Sequence, residues 1–163
     1  MFKHIARILL GLTFIFSGFV KGIDPWGSAY KFTDYFNAFQ MPWLTNMAFA
    51  LGIILAAAEF AMGAALIFNF FLRITSWITL AFMVFFTILT FVLALTNPVT
   101  DCGCFGDALV ITNWQTFYKN IILLALAIYI FAQRNKFKSK DGPILSIALT
   151  GMTIVSYFYL VDY

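Results

Sequence analysis

Residues 74–95 read ITSWITLAFMVFFTILTFVLAL, a run without a charged residue, bounded by Arg73 on one side and Thr96-Asn97-Pro98 on the other. A helix needs about 20 consecutive, mostly apolar residues to cross the roughly 30 Å hydrocarbon core of a bilayer. This run meets that length, so it places the chain among helical membrane proteins. Composition agrees: hydrophobic residues make up 63% of the 163 residues and charged ones 10%, against about 25% charged in a soluble domain. Such a chain holds about four to six spanning helices and little else. It reads as a single transmembrane domain over residues 1–163. The net charge of +3 is no nucleic-acid signal, because the few basic residues sort by membrane side rather than gathering in a patch.

Moving outward from this run, Phe70-Phe71-Leu72-Arg73 reads as a tight turn. Before it, a span over about 43–68 is rich in small residues, with Ala56-Ala57-Ala58 and Ala61-Met62-Gly63-Ala64-Ala65. Small residues let helix backbones approach closely in lipid, so this span is expected at the centre of a bundle. The first span covers about 5–22. A basic start before an apolar run is also how a signal peptide opens, but no small-x-small cleavage site follows and the run nearly spans, so a retained helix is expected. Asp24-Pro25 stops it. Trp26 to Pro42 carries Trp26, Tyr30, Phe32, Tyr35, Phe36 and Phe39 at helix-like intervals, which predicts a helix lying in the headgroup region rather than a surface loop.

After Pro98 comes a polar loop, and Thr112 and Gln115 then match a capping box opening a span over about 114–132. Gln133 to Gly142 is a basic connector, and 144–161 is just long enough for a fifth span. All four prolines fall at the edges of spans, as the helix interior demands. The expected fold is therefore an all-α integral membrane protein: a four-helix transmembrane core, a C-terminal fifth span, and an interfacial helix after the first span.

Orientation follows from Lys and Arg. With the N-terminus inside, the inner face carries Lys3, Arg7, Arg73, Arg134, Lys136, Lys138 and Lys140, and the outer face only Lys21, Lys31 and Lys119. The loop after Pro98 and the C-terminus then face out of the cytoplasm, where disulfides persist. In a bacterial inner membrane that side is the periplasm.

This loop, Asp101-Cys102-Gly103-Cys104-Phe105-Gly106-Asp107, holds the only cysteines. A disulfide closed across one glycine is expected to be strained, and strained or exposed disulfides are the more oxidising ones. Gly103 and Gly106 supply the backbone freedom such a turn needs. The start of the following helix and Lys119 favour a thiolate, while Asp101 and Asp107 oppose it. Cys102 and Cys104 are thus the candidate redox residues, with a structural staple as the other reading. A staple across one residue removes little chain entropy. Metal capture has little support, since His4 lies across the membrane and no other soft ligand is near.

Glu59 is the one ionisable residue well inside a span. Charged and unpaired near the bilayer middle it would cost about 2.5–3.5 kcal/mol or more on insertion scales for charged residues. Arg7 is the expected partner by depth. Two roles stay open: Glu59 relays a proton or binds a quinone head, or it and Arg7 lock two helices together. His4 reads as interfacial, as do Trp43, Trp77 and Trp114, and the phenylalanines as lipid-facing or packing residues rather than a cofactor box.

The chain resembles the DoxX/MauE group of small bacterial membrane proteins, most closely its Bacteroidota-type branch. Carrying the resemblance are Arg7-Ile8-Leu9-Leu10-Gly11, the run Phe16 to Pro25 with Ser17-Gly18 and Lys21, Tyr30 to Tyr35, Glu59 with its small neighbours, and Asp101 to Asp107 followed by Trp114. It extends over nearly the whole length. The resemblance implies a four-helix membrane core and an association with extracytoplasmic thiol redox or with maturation of disulfide-containing partners, sometimes beside a thioredoxin-like protein or domain. On it rests the expectation of a thiol–disulfide oxidoreductase that passes electrons between Cys102–Cys104 and such a partner, with a quinone regenerating the pair. The alternatives are a non-catalytic assembly or maturation subunit and a small permease using Glu59.

Overall fold

A computed structural model describes residues 2–99, 103 and 111–137. Its long helices are α1 (Phe2–Ile23), α2 (Pro25–Ala38), α3 (Ala48–Phe68), α4 (Leu72–Thr96) and α5 (Asn113–Gln133), with a 3-10 helix at Pro42–Met47 leading into α3 and another at Arg134–Lys136. Four of these segments, Phe2–Ile23, Pro42–Phe68, Leu72–Thr96 and Asn113–Lys136, are long and apolar enough to cross a membrane. The chain is a multi-pass membrane protein, and these four segments overlap the first four expected spans. The expected fifth span, 144–161, lies outside the described residues.

Lipid replaces water around the bundle, so apolar side chains face both inward and outward. On α1, Ala6, Leu10, Phe14, Ser17 and Lys21 are buried at helical spacing, while Ile5, Leu9, Leu12, Phe16 and Phe19 are exposed. The hydrophobic effect does not drive helices together in lipid; close packing and polar contacts do. α1 and α3 run antiparallel with their backbones in contact. A Cβ added at Gly18 would lie 2.6 Å from the Phe60 amide nitrogen and 2.7 Å from the Ala56 carbonyl. One at Gly63 would lie 2.6 Å from the Gly11 carbonyl and 2.7 Å from the Ile15 nitrogen. The small-residue stretch of α3 is buried as expected, including Ala56, Ala61, Gly63, Ala64 and Ala65.

α1 stops at Asp24, whose Oδ1 accepts a hydrogen bond from the Gly27 amide at 2.9 Å and caps α2, with Pro25 in its first turn. Pro25 has no amide hydrogen to lose there. α2 then runs along the first turns of α3: Trp26 stacks on Phe49 with centroids 4.6 Å apart, and a Cβ on Gly52 would lie 3.1 Å from Ser28 Cβ.

α4 and α5 form the second antiparallel pair, held by amides. Asn120 Nδ2 on α5 donates to Thr90 Oγ1 at 3.2 Å and the Phe86 carbonyl at 3.3 Å on α4. At the end of the pair Asn113 Nδ2 donates to Asn97 Oδ1 at 2.9 Å and the Val99 carbonyl at 2.8 Å. α4 ends on Asn97 in the left-handed conformation, φ 46°, which asparagine tolerates better than most residues. The capping box read from Thr112 and Gln115 is present in both directions. Lys3 Nζ donates to the Lys136 carbonyl at 3.2 Å, so the start of α1 and the segment after α5 share one end of the bundle.

The glycine contact yields a first expectation. Gly63→Leu should destabilise the protein in detergent by at least ~1–3 kcal/mol, the usual cost of overpacking a filled core. The outward-facing Ile54→Leu should change little. Denaturant titration followed by helical circular dichroism measures both.

Candidate functional site

Lys21 and Glu59 continue the buried stripes of their helices. On α1 the series Leu10, Phe14, Ser17, Lys21 faces the bundle, and on α3 the series Ala56, Glu59, Gly63 faces α1. The two stripes meet in an ion pair: Lys21 Nζ lies 2.8 Å from Glu59 Oε2, with the side chains only 6% and 7% exposed. The same ammonium donates to Ser17 Oγ at 2.6 Å. Two charges are thus withdrawn from water together, each meeting the other's need.

This corrects the expected pairing of Glu59 with Arg7. Residue counting sets Glu59 just past the middle of a 43–68 span, on the Arg7 side. In the structure residues 42–47 form a 3-10 helix and α2 occupies the first turns of α3. α1 therefore pairs with the later part of α3, and contacts at Gly11–Gly63 and Gly18–Ala56 bring Lys21 level with Glu59. Arg7 sits at the far end of α1, 8% exposed. Its guanidinium lies 5.6 Å from the Phe137 ring centroid, and Nε and Nη1 have no hydrogen-bond partner. Lys21 was legible as an inward residue, since it follows Ser17 by four in phase with the stripe. As a lysine next to a helix end, it reads equally as part of the outer loop.

The ion pair lines a cavity of about 270 Å³. Ser17 and Lys21 of α1, Glu59 of α3, and Lys119 and Asn120 of α5 contribute polar groups. Phe14, Phe82, Phe86, Leu89 and Leu123 contribute apolar wall. α2 adds Lys31, Phe32, Tyr35, Phe36 and Phe39. The aromatic residues of α2, expected to sit among lipid headgroups, are therefore divided: Trp26 and Tyr30 are exposed, while Phe32, Tyr35 and Phe36 turn toward the cavity. Phenylalanines read only as lipid-facing or packing residues build much of its wall. The period of α2 was visible in sequence; which face met protein was not.

Of the cysteine loop, Gly103 alone is described. It has φ +61°, a conformation side chains rarely adopt, and a Cβ there would lie 2.7 Å from Lys31 Cγ. Gly103 lines the cavity, as does Lys119. Asp101, Cys102, Cys104, Phe105, Gly106 and Asp107 lie outside the described residues. His4 is exposed at the other end of α1, edge-on to Phe137 at 5.6 Å. Chemically, the cavity joins a buried carboxylate and ammonium, further polar donors and flat aromatic walls beside the residue that separates the two cysteines in sequence.

Comparison with known proteins gives two matches. The family model described as methylamine utilisation protein MauE matches residues 1–133. Protein TlpB of Flavobacterium psychrophilum is 32% identical over 167 residues, covering 96% of this chain and 44% of that protein. The chain thus spans less than half the length of this curated relative. No solved structure matches it.

The ion pair generates a second expectation. Lys21→Met leaves the Glu59 carboxylate buried without its cation and should cost ~3–5 kcal/mol of stability, while the Lys21→Met, Glu59→Met double variant should recover most of that loss. Arg7→Met should not couple to Glu59→Met, because the two sites do not touch. Unfolding free energies of the single and double variants measure the coupling.

Proposed function

Because the chain belongs to the MauE family, we propose that it is a membrane-embedded component of extracytoplasmic thiol–disulfide exchange, passing electrons between Cys102–Cys104 and a thioredoxin-like partner. One observation carries this reading: Gly103, the residue between the cysteines, lines the same cavity as the Lys21–Glu59 pair and Lys119. A staple would need no such surroundings. Exchange starts with the Cys102–Cys104 disulfide and a reduced partner. A partner thiolate attacks one loop sulfur, a mixed disulfide forms, and the other loop sulfur leaves as thiolate. The partner's second thiolate then attacks the mixed disulfide, so the partner departs oxidised and the loop remains as a dithiol. Lys119 favours the thiolate form of the leaving sulfur.

Orientation belongs to the same proposal. The Lys and Arg distribution puts the start of α1 and the α3–α4 turn in the cytoplasm, and the cysteine loop on the periplasmic face of the inner membrane. The DoxX-like branch fits the Ser17-Gly18 to Asp24-Pro25 run and the Cys-Gly-Cys loop of this chain.

Three measurements test this reading. A Cys104→Ser variant expressed in its own cell should accumulate a covalent adduct that runs as a larger species and collapses on reduction, and mass spectrometry should find a thioredoxin-like protein in it. Undiminished function of a Cys102→Ser, Cys104→Ser variant would overturn the relay. A reporter that works only outside the cytoplasm should be active when fused after residue 105 and silent when fused after residue 71.

A further inference from the structure

We propose that Lys31 of α2 is the positioning residue of the cysteine loop: its alkyl stem, laid against Gly103, holds the turn that keeps the sulfurs of Cys102 and Cys104 within pairing distance. That the pair cycles with a partner rests on the relay reading above; the clamp itself does not.

The phase of α2 brings Lys31 to the loop. Ser28, Lys31, Phe32, Tyr35, Phe36 and Phe39 all line the cavity, and their spacing of three and four residues is that of one helix face. Tyr30 and Asp34, on other sides of the helix, are exposed. α2 has little freedom to roll away from this setting. The Asp24 cap fixes its start, and a Cβ on Gly52 of α3 would lie 3.1 Å from Ser28 Cβ and 3.6 Å from the Ala29 nitrogen. Lys31 is thus a half-buried residue of a packed face, not a lysine hanging among headgroups.

The contact is made by the stem. A Cβ built on Gly103 would lie 2.7 Å from Lys31 Cγ, 3.2 Å from Cδ and 3.4 Å from Cβ, so three carbons of the lysine fill the space a side chain at 103 would take. Lysine can do this because its methylenes pack as apolar surface while the ammonium keeps to polar surroundings. Those surroundings are the cavity, where Lys21, Glu59 and Lys119 are the other charged groups among the described residues; Asp101 and Asp107 flank the cysteines in sequence.

What the stem holds is a turn. Gly103 has φ +61°, and glycine takes positive and negative φ about equally readily, so the residue by itself does not choose. The disulfide does. In an extended chain residues i and i+2 point to one side about 6.6 Å apart, twice the rise per residue, whereas a disulfide spans about 3.5–4.5 Å between Cβ atoms. A turned residue 103 shortens that separation, and the stem against its face keeps it from opening. Lys31 therefore favours the disulfide over the dithiol and moderates a pair that ring strain makes oxidising.

The test needs no partner protein. The full chain in lipid nanodiscs is equilibrated in glutathione buffers, where two glutathione thiols give two electrons and two protons to the loop disulfide and join as glutathione disulfide. Alkylation and mass spectrometry then count the loop thiols. Lys31→Ala should lower the equilibrium constant for closing the pair about tenfold, raising its midpoint potential by about 30 mV. Lys31→Met keeps the stem without the charge and should stay within about twofold of the wild type. An unmoved midpoint in Lys31→Ala, or a shift in Lys31→Met equal to that of Lys31→Ala, would overturn the clamp. A second measurement holds even if Lys31→Ala does not fold. In a Cys102→Ser, Cys104→Ser background, Lys31→Cys with Gly103→Cys should form a disulfide on mild oxidation, since the two Cβ positions lie 3.4 Å apart. Tyr30→Cys with Gly103→Cys should not, because Tyr30 is 66% exposed on another side of α2. No closure at 31, or equal closure at 30, would sink the placement. The outcomes also separate clamp from relay: a moved midpoint without any partner adduct keeps the clamp and removes the relay, and a partner adduct with an unmoved midpoint does the reverse.

Discussion

The contact of α1 with α3 through Gly11, Gly18 and Gly63 governs the rest of the arrangement. Backbone touches backbone there, which leaves no freedom to slide one helix along the other by a turn. Given that register, Lys21 has to meet Glu59, because both lie on the stripes that the contact brings together. The break at Asp24-Pro25 then directs α2 along the remaining length of α3 instead of away from it. The faces of α2 are set by this direction, and its cavity-lining residues Lys31, Tyr35 and Phe36 follow from the glycine contact two turns earlier.

The second helix pair is held by a different device. α4 and α5 bring together Asn97 with Asn113 and Thr90 with Asn120, polar groups worth modest energy in a membrane, ~0.6 kcal/mol each in measured cases. Their worth lies as much in direction as in strength, since an amide in hydrocarbon takes the partner it can reach. The Asn120 amide spends its hydrogens on Phe86 and Thr90 and thereby orients the α5 face that carries Lys119 one residue before it. The α1–α3 and α4–α5 pairs meet more loosely than the partners within each. The cavity lies between them, lined from both and covered from one side by α2.

How far this was legible in the sequence differs by the kind of signal. Spans were legible because length and hydropathy act one residue at a time, and the Thr112–Gln115 box because its partners are three residues apart. The small residues of α3 announced a close approach without saying to what. Pairing Glu59 required the register between two helices, and that depends on where α2 lies. No local pattern contains this. The division of the α2 aromatics failed for the same reason: a period of 3.6 shows that a helix has faces, but a membrane offers lipid and protein that are equally apolar. The cysteine pair was the plainest feature of the sequence, and only its central glycine can be set in the structure.

The ion pair argues for a site on energetic grounds. A buried pair loses so much hydration that well-packed apolar residues of similar size often serve stability as well or better. Here the neighbouring glycines already fix α1 against α3, so Lys21 and Glu59 are not required to specify the contact. Both nevertheless line a cavity as well as the α1–α3 contact. The pair's position at the cavity wall is the position of groups that meet something else.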